Sequence, residues 1–136
     1  MNATEIVDSD GNRERIDMYM NVAGYGQAYV SQVFDFKNMI YSEYVPATGS
    51  CKKIQLGFTV NIREALKRIT DPEGGFTEYL GETQPEWDTD STFYTFKVKN
   101  VIDRTKAPQT FYFNTETKTL EWIAMDESEV SQAFIL

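Results

Sequence analysis

Short segments in which apolar and polar residues alternate are the feature that most constrains the fold of this chain. The clearest one runs from Ile54 to Ile62, with Leu56, Phe58 and Val60 at every second position between them. A period of two is typical of a β-strand that turns one face toward a core. The same alternation over residues 15–22 and 92–102 predicts two more strands, so we expect a fold organised around a sheet.

Turn residues group these strands into hairpins. The stretch from Asp8 to Asn12 separates a weaker strand at 2–7 from the strand at 15–22, and the polar stretch from Asn114 to Lys118 interrupts residues 110–123. Glycine and asparagine tolerate positive φ, and aspartate accepts hydrogen bonds from nearby backbone, so both stretches favour tight turns. Strands that follow each other through tight turns pair antiparallel, which predicts an antiparallel sheet.

Two sites have the pattern of a helix N-terminus. Asn61, with Glu64 three residues later, predicts a short helix at 62–69, and Asp126, with Glu129, predicts a final helix at 127–135. In both, a short polar side chain precedes residues that suit a helix.

Residues 27–44 fit two structures. The positions of Tyr29, Val33, Phe36, Ile40 and Tyr44 suit a helical stripe, whereas the β-branched and aromatic content suits strands. Length favours the helix, which we expect here. The fold class predicted for the single domain, residues 1–136, is therefore α+β: an antiparallel sheet of hairpins with two or three helices packed on one face.

Composition excludes most histidine- and cysteine-dependent chemistry. The chain has no histidine and one cysteine, Cys51, so it forms no internal disulfide, no cysteine-based zinc cage and no histidine-containing triad. We expect no cofactor, no metal and no catalytic residues, and hence no enzyme. Gly24-Tyr25-Gly26 has Tyr29 where a dinucleotide-binding motif needs a small residue, and the start of a calcium loop at Asp8 has Tyr19 where the bidentate glutamate belongs.

The net charge of −8 is concentrated in one segment. Residues 71–90 contain no lysine or arginine, and their acids are interleaved with aromatic side chains in what is predicted to be mostly loop. A solvated loop whose rings reach into the core is one interpretation. The other is a partner-binding surface with tyrosine and tryptophan anchors inside a ring of charge, formed by Glu78, Tyr79, Glu82, Glu86, Trp87, Asp88 and Asp90.

Three functional hypotheses follow. The first is a small cytoplasmic inhibitor or immunity-type protein that caps a basic surface of a nucleic-acid enzyme, such as a phage-encoded antagonist of a defence nuclease. It predicts no direct nucleic-acid binding, since phosphates require a basic footprint. No membrane contact is expected either, since apolar runs are short and the first residues do not resemble a secretory signal.

The alternatives come from other classes of protein. One is a structural or assembly module of a virion or cell surface, and the other is a carboxylate-dependent enzyme or a small-molecule binder with a pocket beside the sheet. The oligomeric state is open in all three.

Overall fold

The computed structural model describes residues 2–100, 107–126 and 129–135, which contain ten strands and one helix. The strands are β1 (Asn2–Asp8), β2 (Arg13–Val22), β3 (Gly26–Asp35), β4 (Ile40–Val45), β5 (Ser50–Gln55), β6 (Thr77–Thr83), β7 (Phe93–Val98), β8 (Gln109–Asn114), β9 (Leu120–Asp126) and β10 (Glu129–Ile135). The helix, α1 (Ile62–Thr70), connects β5 to β6.

All ten strands belong to one sheet in the order β5-β4-β3-β2-β1-β10-β9-β8-β7-β6. Strands β1 to β5 and strands β6 to β10 form two antiparallel meanders, which join in the middle where β1 pairs parallel with β10. The sheet is therefore mixed, and among the described strands its edges are β5 and β6. The connection from β5 to β6 links one edge of the sheet to the other, and α1 is the helical part of that connection.

The predicted α+β class, with two or three helices on one face, is wrong. Residues 27–44 form β3, a turn and β4, because the amide of Asn38 donates to Asp35 Oδ1 at 3.0 Å and Met39 takes a positive φ of 57° in that turn. The helix predicted at 127–135 is instead strand β10 over its described part, because Val130 to Gln132 pair with both β9 and β1. Residues 127 and 128 lie outside the described part.

The local predictions at the hairpin turns and at α1 are confirmed. Asn61 Oδ1 accepts the amide of Glu64 at 3.0 Å, which is the predicted N-cap. Asn12 links the first hairpin turn to the start of α1. Its Oδ1 accepts a hydrogen bond from the Ile62 amide and its Nδ2 donates one to the Val60 carbonyl, both at 2.9 Å. The alternation from Ile54 to Ile62 does not continue as a strand, since β5 ends at Gln55 and the chain turns toward α1.

The core lies on both faces of the sheet. On the face that carries α1, here called the helix face, Ile62 packs with Phe36 and Leu56 of the first meander, and Ile69 packs against the cluster around Val98 in the second. On the opposite face, here called the outer face, Phe93 is fully buried. Burying apolar surface on both faces contributes stabilisation of roughly 25 cal/mol per Å² removed from water, which explains how one helix suffices.

Candidate functional site

The acidic segment forms an edge of the sheet rather than a loop over residues 77–83. Strand β6 pairs with β7 only, and its register shifts at Leu80, next to Gly81, whose φ is 100°. Tyr79 and Glu82 stand opposite Phe96 and Tyr94 on the helix face, whereas Glu78 stands opposite Lys97 on the outer face. The predicted binding residues on β6 are therefore divided between the two faces of one edge.

The acids of this edge are turned to solvent. Four acids of the segment are exposed: Glu78 and Glu82 on β6, and Glu86 and Asp90 after it. None of the four takes part in an ion pair among the described residues, because the ion pairs found there involve other acids. Tyr79 and Leu80, between them in sequence, are 54% and 48% exposed. The edge thus combines exposed apolar side chains with carboxylates that contact no lysine or arginine among the described residues.

Trp87 and Asp88 are held by the fold on the outer face. The Trp87 ring packs edge-on against Tyr112 and Trp122, with ring centroids 5.3 and 6.4 Å away. Asp88 Oδ2 accepts a hydrogen bond of 3.0 Å from Trp122 Nε1. Both residues are half-buried, so their side chains anchor the turn after β6, while a direct role in partner binding stays a prediction.

A groove of about 530 Å³ adjoins this edge on the helix face. Its floor is aromatic because β6, β7 and β8 all direct rings to this face, where α1 contributes only its last residues, Ile69 and Thr70, to the walls. The ring centroids of Tyr79 and Phe96 are 5.1 Å apart, and those of Phe96 and Phe113 are 5.7 Å apart. The other described walls are Ile69, Thr70, Asp71, Pro72, Thr77, Tyr94, Val98, Phe111 and Lys118.

The two ends of the groove differ in charge. At the Tyr94 end, Lys118 Nζ lies 4.7 Å from the centre of the Tyr94 ring and donates to Tyr94 Oη at 3.2 Å and to the Thr115 carbonyl at 2.6 Å. At the Val98 end, Asp71 follows the last turn of α1, where the helix dipole is negative. Tyr94 and Val98 are four residues apart on β7, so the ends are about 13 Å apart.

A pair of carboxyl groups at the centre of the sheet is a feature that sequence reasoning missed. Glu5 of β1 and Glu14 of β2 lie within hydrogen-bonding reach of each other, and Glu5 is also bonded to Ser131 of β10. Burial raises the pKa of Glu5, and burial together with repulsion from Glu5 raises the pKa of Glu14 to about 8. Near neutral pH the pair therefore retains a proton.

Patterns in the sequence point to the position of Glu14 and to the aromatic floor of the groove. Glu14 continues the alternation of Ile16, Met18 and Met20, which marks it as facing the helix side, and Tyr94, Phe96 and Val98 alternate in the same way on β7. Such alternation reveals which side chains share a face. It does not reveal that Glu5 is the neighbour of Glu14, or that α1 leaves the rings of β7 uncovered.

Neither a metal centre nor a membrane-spanning helix is found in the described part of the chain. No three histidine, cysteine, aspartate or glutamate side chains come together there in a way that would hold a metal ion. The one helix among the described residues is too short to cross a bilayer. Comparison with protein-family models, with curated proteins and with solved structures gives no match.

Proposed function

We propose that this chain is a cytoplasmic protein-binding inhibitor or immunity-type protein that caps a basic, nucleic-acid-handling surface of a partner enzyme. One observation carries the proposal: the exposed carboxylates of the β6 edge form no ion pair with any described lysine or arginine. Charge left open in this way is free to interact with an external partner.

The chemistry of such a partner follows from the sign and spacing of these charges. Successive carboxylates along an extended edge offer negative groups to lysines and arginines that otherwise contact phosphates. Complementary charge mainly accelerates association and selects the partner, while apolar contacts such as Tyr79 and Leu80 supply much of the affinity. This division supports a binding role and requires no catalytic group on the chain itself.

The test is affinity capture from a panel of purified nucleic-acid enzymes at moderate salt. The double variant Glu78→Lys/Glu82→Lys is compared with Asp10→Lys/Glu64→Lys, which makes the same change in net charge at exposed acids away from β6. We expect the β6 variant to lose at least about tenfold in affinity for the retained enzyme, equivalent to roughly 1.4 kcal/mol. Equal loss in both variants, or no retained enzyme, contradicts the proposal.

The second candidate, an assembly module, is favoured by a different observation. All six residues of β5 are exposed, and this edge carries Lys52 and Lys53, whereas the β6 edge carries Glu78 and Glu82. Unlike edges of opposite charge suit head-to-tail pairing of copies into an open chain. Sedimentation over a range of concentrations separates the two candidates, because a monomer at every concentration excludes assembly.

A further inference from the structure

The groove beside β6 has a shape and a charge distribution that specify what a partner would insert into it. Resting on the proposed function, we propose that the groove receives an aromatic side chain of the partner's docking segment, with a neighbouring lysine or arginine directed to Asp71. The inference names the chemistry of the segment, which the acidic edge alone leaves open.

An aromatic occupant follows from the size and lining of the groove. A volume of about 530 Å³ lies within the ordinary range for pockets that enclose a ring system. Tyr79, Phe96 and Phe113 already form a row of tilted and edge-on rings, and a further ring extends such a row in the geometry that aromatic pairs prefer. Tyr79 remains 54% exposed, so the row ends at an open position.

A cationic neighbour follows from the charges at the ends of the groove. Asp71 is the one carboxylate among the described residues that line the groove, whereas Lys67 and Arg68 in the last turn of α1 do not line it. Lys118, the cation at the opposite end, is engaged by Tyr94 Oη and the Thr115 carbonyl and lies over the Tyr94 ring. A cation near Asp71 would therefore lie at the end of the groove away from Lys118 and would also be attracted by the β6 acids.

The position of β6 explains how an extended segment reaches the groove. The outward edge of β6 pairs with no described strand, and Tyr79 of this strand forms the rim of the groove. In a strand added along such an edge, side chains two residues apart share a face, so an aromatic residue and a basic residue two positions away both lie on the groove side.

Three blocked tripeptides serve as probes in a titration of the full chain, followed by backbone amide chemical shifts. Arginine–alanine–tryptophan supplies charge and ring on the same face of an extended chain, arginine–alanine–alanine supplies charge alone, and glutamate–alanine–tryptophan supplies the ring with the opposite charge. We expect the first to bind at least about tenfold more tightly than either of the others. The largest shifts are expected at Tyr79, Phe96 and Phe113.

Two substitutions localise the binding. Tyr79→Ala and Asp71→Asn should each weaken binding of arginine–alanine–tryptophan at least about fivefold, whereas Tyr25→Ala, which removes a ring that is 56% exposed in the β2–β3 turn, should leave it unchanged. Because Tyr79 and Asp71 are exposed, both variants are expected to fold, and their amide spectra verify this.

Other results overturn the inference. Equal binding of arginine–alanine–alanine shows attraction by charge alone, equal binding of glutamate–alanine–tryptophan removes the role of Asp71, and binding by none of the three removes the docking pocket. These outcomes are independent of the capture experiment, in which the β6 charge reversal is compared with its control. The proposed function can therefore fail or stand separately from the groove.

Discussion

The indole nitrogen of Trp122 donates a 3.0 Å hydrogen bond to the carboxylate of Asp88, 34 residues earlier in the chain. This bond ties the turn that follows the acidic edge strand to β9, two strands inward from β7. This hydrogen bond, the ring packing beside it and the buried Pro85 together position that turn and the last part of the acidic segment.

Replacing Asp88 by alanine should lower the free energy of unfolding by about 1–2 kcal/mol, because the half-buried Trp122 N–H loses its acceptor. Urea unfolding followed by tryptophan fluorescence measures this change. Asp90→Ala, at an exposed acid two residues later, is the matched control and should change the value by less than about 0.5 kcal/mol. Equal effects would show that the bond contributes nothing specific.

Trp87 should behave as a packing residue in stability measurements. Trp87→Ala removes ring contacts with Tyr112 and Trp122 and should cost about 2–4 kcal/mol. Trp87→Phe should cost clearly less, because it keeps a ring and because the buried Trp87 Nε1 has no hydrogen-bond partner among the described residues. Thermal and urea unfolding of both variants test this order. If Trp87→Ala were as stable as the parent chain, the Trp87 ring would not pack against Tyr112 and Trp122 on the outer face.

The Glu5–Glu14 pair should make the free energy of unfolding fall as the pH rises above the ordinary pKa of a glutamate. A folded-state pKa of about 8 for Glu14, against an ordinary value of 4.5, means that the contribution of the pair to stability is complete below pH 4.5 and is lost as pH approaches 8. Glu14→Gln should remove much of this loss and be more stable than the parent at pH 8, by roughly 1–3 kcal/mol.

Unfolding measured from pH 4 to pH 9 tests this dependence on the pair. Glu86→Gln, at an exposed glutamate, serves as the control and should keep the slope of the parent chain. A Glu14→Gln variant with the same slope would show that the two carboxyl groups do not share a proton.

Asn12 should be the most sensitive position in the first hairpin turn. Its backbone has a φ of 52°, and its side chain makes two hydrogen bonds, to Val60 just before the N-cap of α1 and to Ile62, the first residue of the helix. Asn12→Ala should cost about 2–4 kcal/mol, since it loses both bonds and leaves a methyl-bearing residue in the left-handed region. Asn12→Gly should recover about 1 kcal/mol of this, because glycine accepts that backbone conformation. Chemical denaturation measures the free energy of unfolding of both variants. A lower value for Asn12→Gly than for Asn12→Ala would contradict a left-handed backbone at this position.

The parts of the fold that were predicted correctly depend on neighbours in sequence. The Asn61–Glu64 cap spans three residues, and the turn at Asp8 is stabilised by the Gly11 amide and by Arg13 within five residues. Interactions of this range leave a local pattern, because the residues that make them are always a few positions apart. The same holds for the hairpin around Asn114, whose side chain accepts the amides of Glu116 and Thr117.

The wrong predictions concern residues whose partners are distant in sequence. Residues 129–135 have a local helix-start pattern before them, yet they form the parallel pair with β1 that joins the two meanders. For residues 27–44, the stripe at helical spacing is outweighed by pairing of β3 with β2 along ten positions. Secondary-structure preference is weak compared with such tertiary contacts, so short apolar runs remain ambiguous until their neighbours are known.

The candidate site shows the same division. The acidic character of residues 71–90, the absence of histidine and the strand faces follow from residue types and their alternation. That these acids lie along an open edge, that Trp87 packs onto Trp122, and that α1 leaves an aromatic groove uncovered are consequences of long-range packing. Charge and periodicity are carried by each residue and its nearest neighbours, whereas exposure depends on what the rest of the chain covers.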